Sequence, residues 1–123
     1  MKIITNNLLV QSEYPDITEY IDDDVSSIYT KARDYIHLGA ELVSHPQSGN
    51  LSADENPYKS LVIKEKDEYT GTVTDFFSLT LIENAIEQLP KEPKATDSYE
   101  NKILEDFKII DLDLIKSCVE NMI

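Results

Sequence analysis

The chain has 123 residues, of which 28% are charged and 41% hydrophobic, and its formal charge at pH 7 is −13. A chain of this length has enough apolar residues for one core, so we expect residues 1–123 to form a single α/β domain. The excess of acids argues against nucleic-acid and anionic membrane partners, which need clustered lysine and arginine. One cysteine, no signal sequence and no apolar run of about 20 residues predict a cytoplasmic location.

The first third of the chain predicts two short strands followed by an amphipathic helix. The segments at residues 2–5 and 17–21 are typical of strands, whereas the proline-containing stretch at residues 8–16 predicts no regular structure. Apolar residues then recur every three or four positions, which predicts a helix that ends at Gly39. The acids at residues 22–24 are expected to cap this helix, although such a run can also indicate a cation site.

Two further strands are predicted at residues 41–44 and 60–64, on either side of an irregular loop. A helix that is capped by Asp75 or Ser78 comes next. A short helical face and a separate last helix that begins at Asp111 complete the chain. The order of these elements predicts an α/β fold with a small, mostly parallel four-stranded sheet flanked by about four helices.

Catalytic and cofactor signatures are absent from the sequence. Glycine-rich phosphate loops, H-E-x-x-H and C-x-x-C do not occur, and the chain has only three glycines and two histidines. Cys118 lies on the apolar stripe of the last helix, which favours a structural cysteine over a nucleophile. We therefore expect no catalytic residues, no metal and no cofactor, and a binding protein is a better interpretation than an enzyme.

The loop at residues 45–59 is the candidate functional segment, because irregular loops of this length in small domains often bind ligands. If the first and third strands are parallel neighbours, this loop and the turn after the first strand lie at the same edge of the sheet. An alternative is a loop that only packs over the sheet, with Tyr58 buried and Lys59 in solvent. The candidate ligand-binding residues are Thr5, Asn6, Asn7, His45, Ser48, Gly49, Asn50, Tyr58, Lys59 and Ser60.

Several segments resemble one protein family. They are IITNN (residues 3–7), SHPQSGN (44–50), NPYKS (56–60), SLTLIENAIE (78–87) and EDFKIIDLDLI (105–115). Together they resemble GrdX-type proteins, which are encoded beside the glycine, sarcosine and betaine reductase genes of amino-acid-fermenting anaerobes. The resemblance spans almost the whole chain, and it is carried by the order of the segments.

The resemblance implies an accessory or regulatory protein of a glycine or betaine reductase system that acts by partner or small-ligand binding. Reductase components are the partners that it implies, and it supplies no catalytic residues. A second hypothesis is a small enzyme or sensor that recognises an anionic metabolite such as acetyl phosphate, which these reductases release. A third is a structural homo-oligomer that assembles through its last helices.

Overall fold

A mixed four-stranded sheet forms the centre of the computed structural model, which describes residues 1–46, 56–65, 74–89 and 99–121. The strands are β1 (Lys2–Thr5), β2 (Thr18–Tyr20), β3 (Glu41–Leu42) and β4 (Ser60–Lys64). Their order is β2-β1-β4-β3, with β1 parallel to β2 and β4 antiparallel to both of its neighbours. The α/β class and the four strands are confirmed, whereas the prediction of a mostly parallel sheet is wrong.

Four helices surround this sheet within the described ranges: α1 (Leu8–Glu13), α2 (Val25–His37), α3 (Phe76–Glu87) and α4 (Asn101–Glu120). The Asp24 side chain accepts a hydrogen bond from the Ser27 amide and caps α2, and Asp75 caps α3 in the same way. These two caps are confirmed. Gly39 has a φ of 106°, which lets the chain turn away from α2 as expected.

Each face of the sheet carries its own apolar core. Ile4, Leu61 and Ile63 pack against α2 and α3, while Ile3 and Val62 pack against α1 and α4. Side chains along a strand alternate between the two faces. Thr5 and Ser60, two positions from Ile3 and Val62, therefore project toward α4.

Two predictions about the helices are wrong. Residues 8–16 are not irregular, because the side chain of Asn7 accepts a hydrogen bond from the Leu9 amide and starts α1. Asp111 does not begin a separate helix, since α4 runs without a break from Asn101 to Glu120. A polar residue between two apolar runs resembles a helix boundary, but Asp111 is 4% exposed in the middle of α4.

No helix in the described ranges is long and apolar enough to cross a membrane.

Candidate functional site

Strand ends converge at one edge of the sheet. Strands β1, β2 and β3 run in one direction and β4 runs in the other, so the carboxyl end of β1 lies beside the amino end of β4. Strand β4 separates β1 from β3, so the condition that these two strands are neighbours is not met. Because β1 and β3 share a direction, the turn after β1 and the segment after β3 nevertheless lie at the same edge, as the sequence predicts.

Asn6 and Asn7, two of the candidate ligand-binding residues, are engaged in hydrogen bonds within the protein. The Asn6 amide donates to the carbonyls of Asp23 (2.9 Å) and Pro57 (3.0 Å), and its oxygen accepts from the Lys59 backbone at 2.8 Å. The Asn7 side chain caps α1 and donates to the Lys108 carbonyl at 2.9 Å. Both residues hold the edge of the sheet together.

A directed chain of hydrogen bonds leads from Asn7 to a buried carboxylate. The backbone N–H of Asn7 donates to Thr5 Oγ1 at 2.9 Å, and Thr5 Oγ1 lies 2.6 Å from Ser60 Oγ. Ser60 Oγ donates its only proton to Asp111 Oδ2 at 2.7 Å, so the Thr5 hydroxyl must be the donor to Ser60. Asn7 Nδ2 donates to the same carboxylate oxygen at 3.0 Å. Both groups of this hydrogen-bonded series that contact Asp111, Ser60 Oγ and Asn7 Nδ2, are donors, which favours an ionised carboxylate.

Burial acts on Asp111 in the opposite direction. Loss of hydration raises the pKa of this carboxyl above its ordinary value, whereas the Ser60 and Asn7 donors and the charge of Lys59 lower it. The charge state of Asp111 therefore depends on how strongly its neighbours support the anion. Sequence reasoning missed this residue, because an aspartate in a helical pattern is normally a cap or an exposed residue.

A cavity of about 260 Å³ opens beside this hydrogen-bonded chain. It lies between the end of β3, the start of β4 and the second half of α4. Its apolar wall consists of Val43, Leu114, Ile115 and Cys118, and its polar residues are Ser44, His45, Lys59, Ser60, Asp111 and Ser117. Such a mixture of apolar wall and converging polar groups is typical of small-molecule sites.

Lys59 is the distinctive residue of the cavity. It is half-buried, and desolvation lowers the pKa of its ammonium from the ordinary value of 10.5. Among the described residues no carboxylate forms an ion pair with Lys59, and Asp111 attracts it only at longer range. The cavity thus contains a cation that has lost hydration without an ion pair to any carboxylate in the described ranges.

His45 and Cys118 also line the cavity. Tyr29 of α2 donates from its hydroxyl to the Pro46 carbonyl at 2.8 Å, which fixes the chain directly after the exposed His45. Cys118 is half-buried, and burial raises the pKa of its thiol. A thiol of raised pKa is a weak nucleophile at neutral pH.

The other candidate residues have separate positions. Tyr58 does not line the cavity, and Lys108 lies over its ring at 5.5 Å from the centroid. Ser48, Gly49 and Asn50 lie outside the described residues. The cavity therefore brings together His45, Lys59 and Ser60 from the candidate set, and it adds Ser44 and Asp111.

The acids before α2 do not form a metal site in the part of the chain that the structure describes, where no group of three metal-ligating side chains occurs. Asp23 accepts a hydrogen bond from the Asp24 amide at 2.8 Å, and Asp24 caps the helix. The positive end of α2 is thus occupied by the carboxylates of the protein itself.

These features define a small α/β protein with a mixed sheet and a polar cavity at one edge. A family model described as GrdX-like protein matches residues 2–120, almost the full length of the chain. The chain belongs to the GrdX-like family, which confirms the resemblance of its sequence segments. No curated protein and no solved structure gives a significant match.

Proposed function

We propose that this chain is an accessory protein of a glycine or betaine reductase system that acts by binding a small ligand in the Lys59 cavity. Membership of the GrdX-like family supports the link to a reductase system. The cavity, with its apolar wall and its converging polar groups, supports the binding of a small ligand.

The desolvated ammonium of Lys59 is the observation that carries this proposal. Removing a charge from water costs free energy unless a partner replaces the hydration. The longer-range attraction of Asp111 does not compensate, because the pKa of Lys59 is lowered overall. A ligand that enters the cavity would supply the ion pair that no carboxylate in the described part of the chain provides.

A ligand panel tests the proposal through two independent readouts. The panel contains glycine, betaine, acetate, inorganic phosphate and acetyl phosphate, and the last two also test the hypothesis of an anion sensor. The unfolding temperature should rise with a true ligand. Alkylation of Cys118, which lines the same cavity, should become slower.

Lys64 provides the matched control, because it is an exposed lysine at the far end of the same strand. Lys59→Met should abolish the shift in unfolding temperature and the protection of Cys118, and Lys64→Met should preserve both. Unchanged unfolding temperature and unchanged Cys118 alkylation with every ligand would rule out the proposal.

Partner binding is a second candidate function, and two exposed aromatic side chains favour it. Phe76 and Phe77 at the start of α3 are 76% and 74% exposed, which is unusual for phenylalanine. The reductase components are the expected partners, because of the family to which the chain belongs. Anaerobic pull-down should recover them with the wild-type protein and not with Phe76→Ser/Phe77→Ser; equal recovery with both proteins would contradict this role.

A further inference from the structure

Two ionisable groups of the Lys59 cavity, Lys59 and Asp111, depend on each other. The Lys59 charge lowers the pKa of the Asp111 carboxyl, and the Asp111 charge raises that of the Lys59 ammonium. No ion pair joins them among the described residues, and both line the same cavity. A ligand that binds one of the two must change the other.

Asp111 can take up a proton on Oδ1 without losing its two side-chain donors. Ser60 Oγ and Asn7 Nδ2 both donate to Oδ2, so Oδ1 can be protonated while both hydrogen bonds persist. Burial already favours the neutral carboxyl. The positive charge of Lys59 lowers the pKa of Asp111 and so opposes its protonation. An anion bound at the ammonium would neutralise that charge and weaken its effect on Asp111.

We propose that the cavity binds a small anion on the Lys59 ammonium and that the entering anion draws one proton from solvent onto the Asp111 carboxylate. This inference rests on the proposed ligand site and specifies its ligand class. The reaction conserves charge and atoms: one anion and one proton enter together, and no covalent bond other than O–H forms. The cavity then contains one ammonium, one bound anion and a neutral carboxyl.

Other titratable groups around Asp111 have to be separated from it. Tyr29 approaches it from α2, and burial raises the pKa of this phenol to about 12. On α4 itself, the pKa of Lys108 is raised by its hydrogen bond to Glu105, and burial raises that of Cys118 above 9.0. These groups titrate in the alkaline range. Besides Lys59, His45 is the remaining titratable group that lines the cavity, and the His45→Gln variant separates its contribution from that of Asp111.

The test uses methanesulfonate, a small monoanion that does not titrate in the range of the carboxyl groups. Its Kd is measured from the backbone amide NMR shifts of Lys59 and Ser60 at a series of pH values from 3.8 upward. Proton uptake predicts that Kd increases with pH, by at most about tenfold per pH unit. In wild-type protein, the carboxyl carbon signal of Asp111 should also titrate at higher pH when methanesulfonate is present.

Variants assign the effect to its residues. Lys59→Met should abolish binding. Asp111→Asn should remove the rise of Kd across the acidic range and leave only the loss of binding that follows deprotonation of Lys59 itself. His45→Gln should keep the rise of Kd across the acidic range. A pH dependence that disappears in His45→Gln instead would overturn the role of Asp111. An unshifted Asp111 carboxyl titration in the wild-type protein would do the same, even if Asp111→Asn does not fold.

Failure of this inference can be distinguished from failure of the proposed function. Binding of a zwitterion such as glycine at the cavity, without any binding of methanesulfonate or phosphate, would refute the inference that the ligand is an anion. The proposal that the cavity binds a small ligand would stand. Anion binding without proton uptake would refute only the coupling to Asp111. Absence of all binding would remove both proposals.

Discussion

The two ends of the central strand pair each contain a lysine, and their environments are opposite. At the amino end of β1, Lys2 donates to the Tyr35 hydroxyl at 3.0 Å and forms ion pairs with Glu65 (3.3 Å) and Glu19 (3.8 Å). These partners raise the pKa of Lys2. At the other end, desolvation lowers the pKa of Lys59. Lys2 is thus held by several partners, whereas Lys59 has no ion pair with a carboxylate of the described residues.

The tyrosines of α2 repeat this contrast. Tyr35 donates to Glu19 at 2.6 Å within the half-exposed network around Lys2. Tyr29 is 1% exposed and donates to the Pro46 carbonyl at the cavity. Surface networks contribute little because water competes for the same groups, while buried hydrogen bonds are costly to break. The two ends should therefore respond very differently to substitution.

The largest expected effect is that of Asn7→Ala at the cavity end. The substitution removes the α1 cap and one of the donors to Asp111, so the free energy of unfolding should fall by about 2–4 kcal/mol. Urea denaturation measures this value. Glu19→Ala, which removes the centre of the Lys2 network, should cost less than about 1 kcal/mol. Equal losses in the two variants would contradict the contrast between the ends.

The raised pKa of Tyr29 predicts a loss of stability at alkaline pH. The pKa of this phenol rises from 10.0 in the unfolded chain to about 12 in the fold, so the native state retains its proton longer. The contribution of Tyr29 to the free energy of unfolding is complete below pH 10 and falls by about 3 kcal/mol as the pH rises to about 12. Tyr29→Phe should lack this loss, although it should be about 1 kcal/mol less stable at neutral pH because the bond to Pro46 is gone.

Tyr35→Phe is the matched control on the same helix. It leaves Tyr29 in place, so its stability should decline above pH 10 as in the wild-type protein. Chemical denaturation at several alkaline pH values distinguishes the two variants. A persistent alkaline loss in Tyr29→Phe would assign the effect to another group.

Local sequence signals predicted most elements of this fold. Periodicity located α2 and α3, and the caps at Asp24 and Asp75 followed from side chains close in sequence. Strand β4 was evident from its apolar, β-branched centre. The direction of β4 was not predictable, because pairing between β1 and β4 depends on contacts between distant segments rather than on local preference.

The candidate site was predictable in part for the same reason. Lys59, Ser60 and His45 stood out because they flank a long irregular loop. Asp111 did not, since its burial depends on Asn7 and Ser60, which lie 104 and 51 residues away in sequence. Its local signal is a single aspartate inside an otherwise amphipathic segment, and the same signal is typical of the start of a new helix.

The smallest expected effect is the one that tests the lysine comparison directly. Methionine keeps the apolar stem of lysine and removes the charge. Lys59→Met should raise the unfolding temperature, because desolvation outweighs the attraction of Asp111. Lys2→Met should lower it, at a cost below about 1 kcal/mol. Calorimetric scans of both variants at neutral pH measure the two shifts, and shifts of the same sign would contradict the comparison.

The pH dependence of the stability difference between Lys59→Met and the wild-type protein shows why the variant is more stable. In the window below 10.5 the unfolded chain binds more protons at Lys59 than the native state does, so the destabilisation that this group causes decreases as the pH rises. The advantage of Lys59→Met should therefore shrink toward pH 10.5. Tyr29 is unchanged in both proteins, so its own alkaline effect cancels in the difference. An advantage that stayed constant with pH would show that packing of the methionine, rather than removal of a desolvated charge, stabilises the variant.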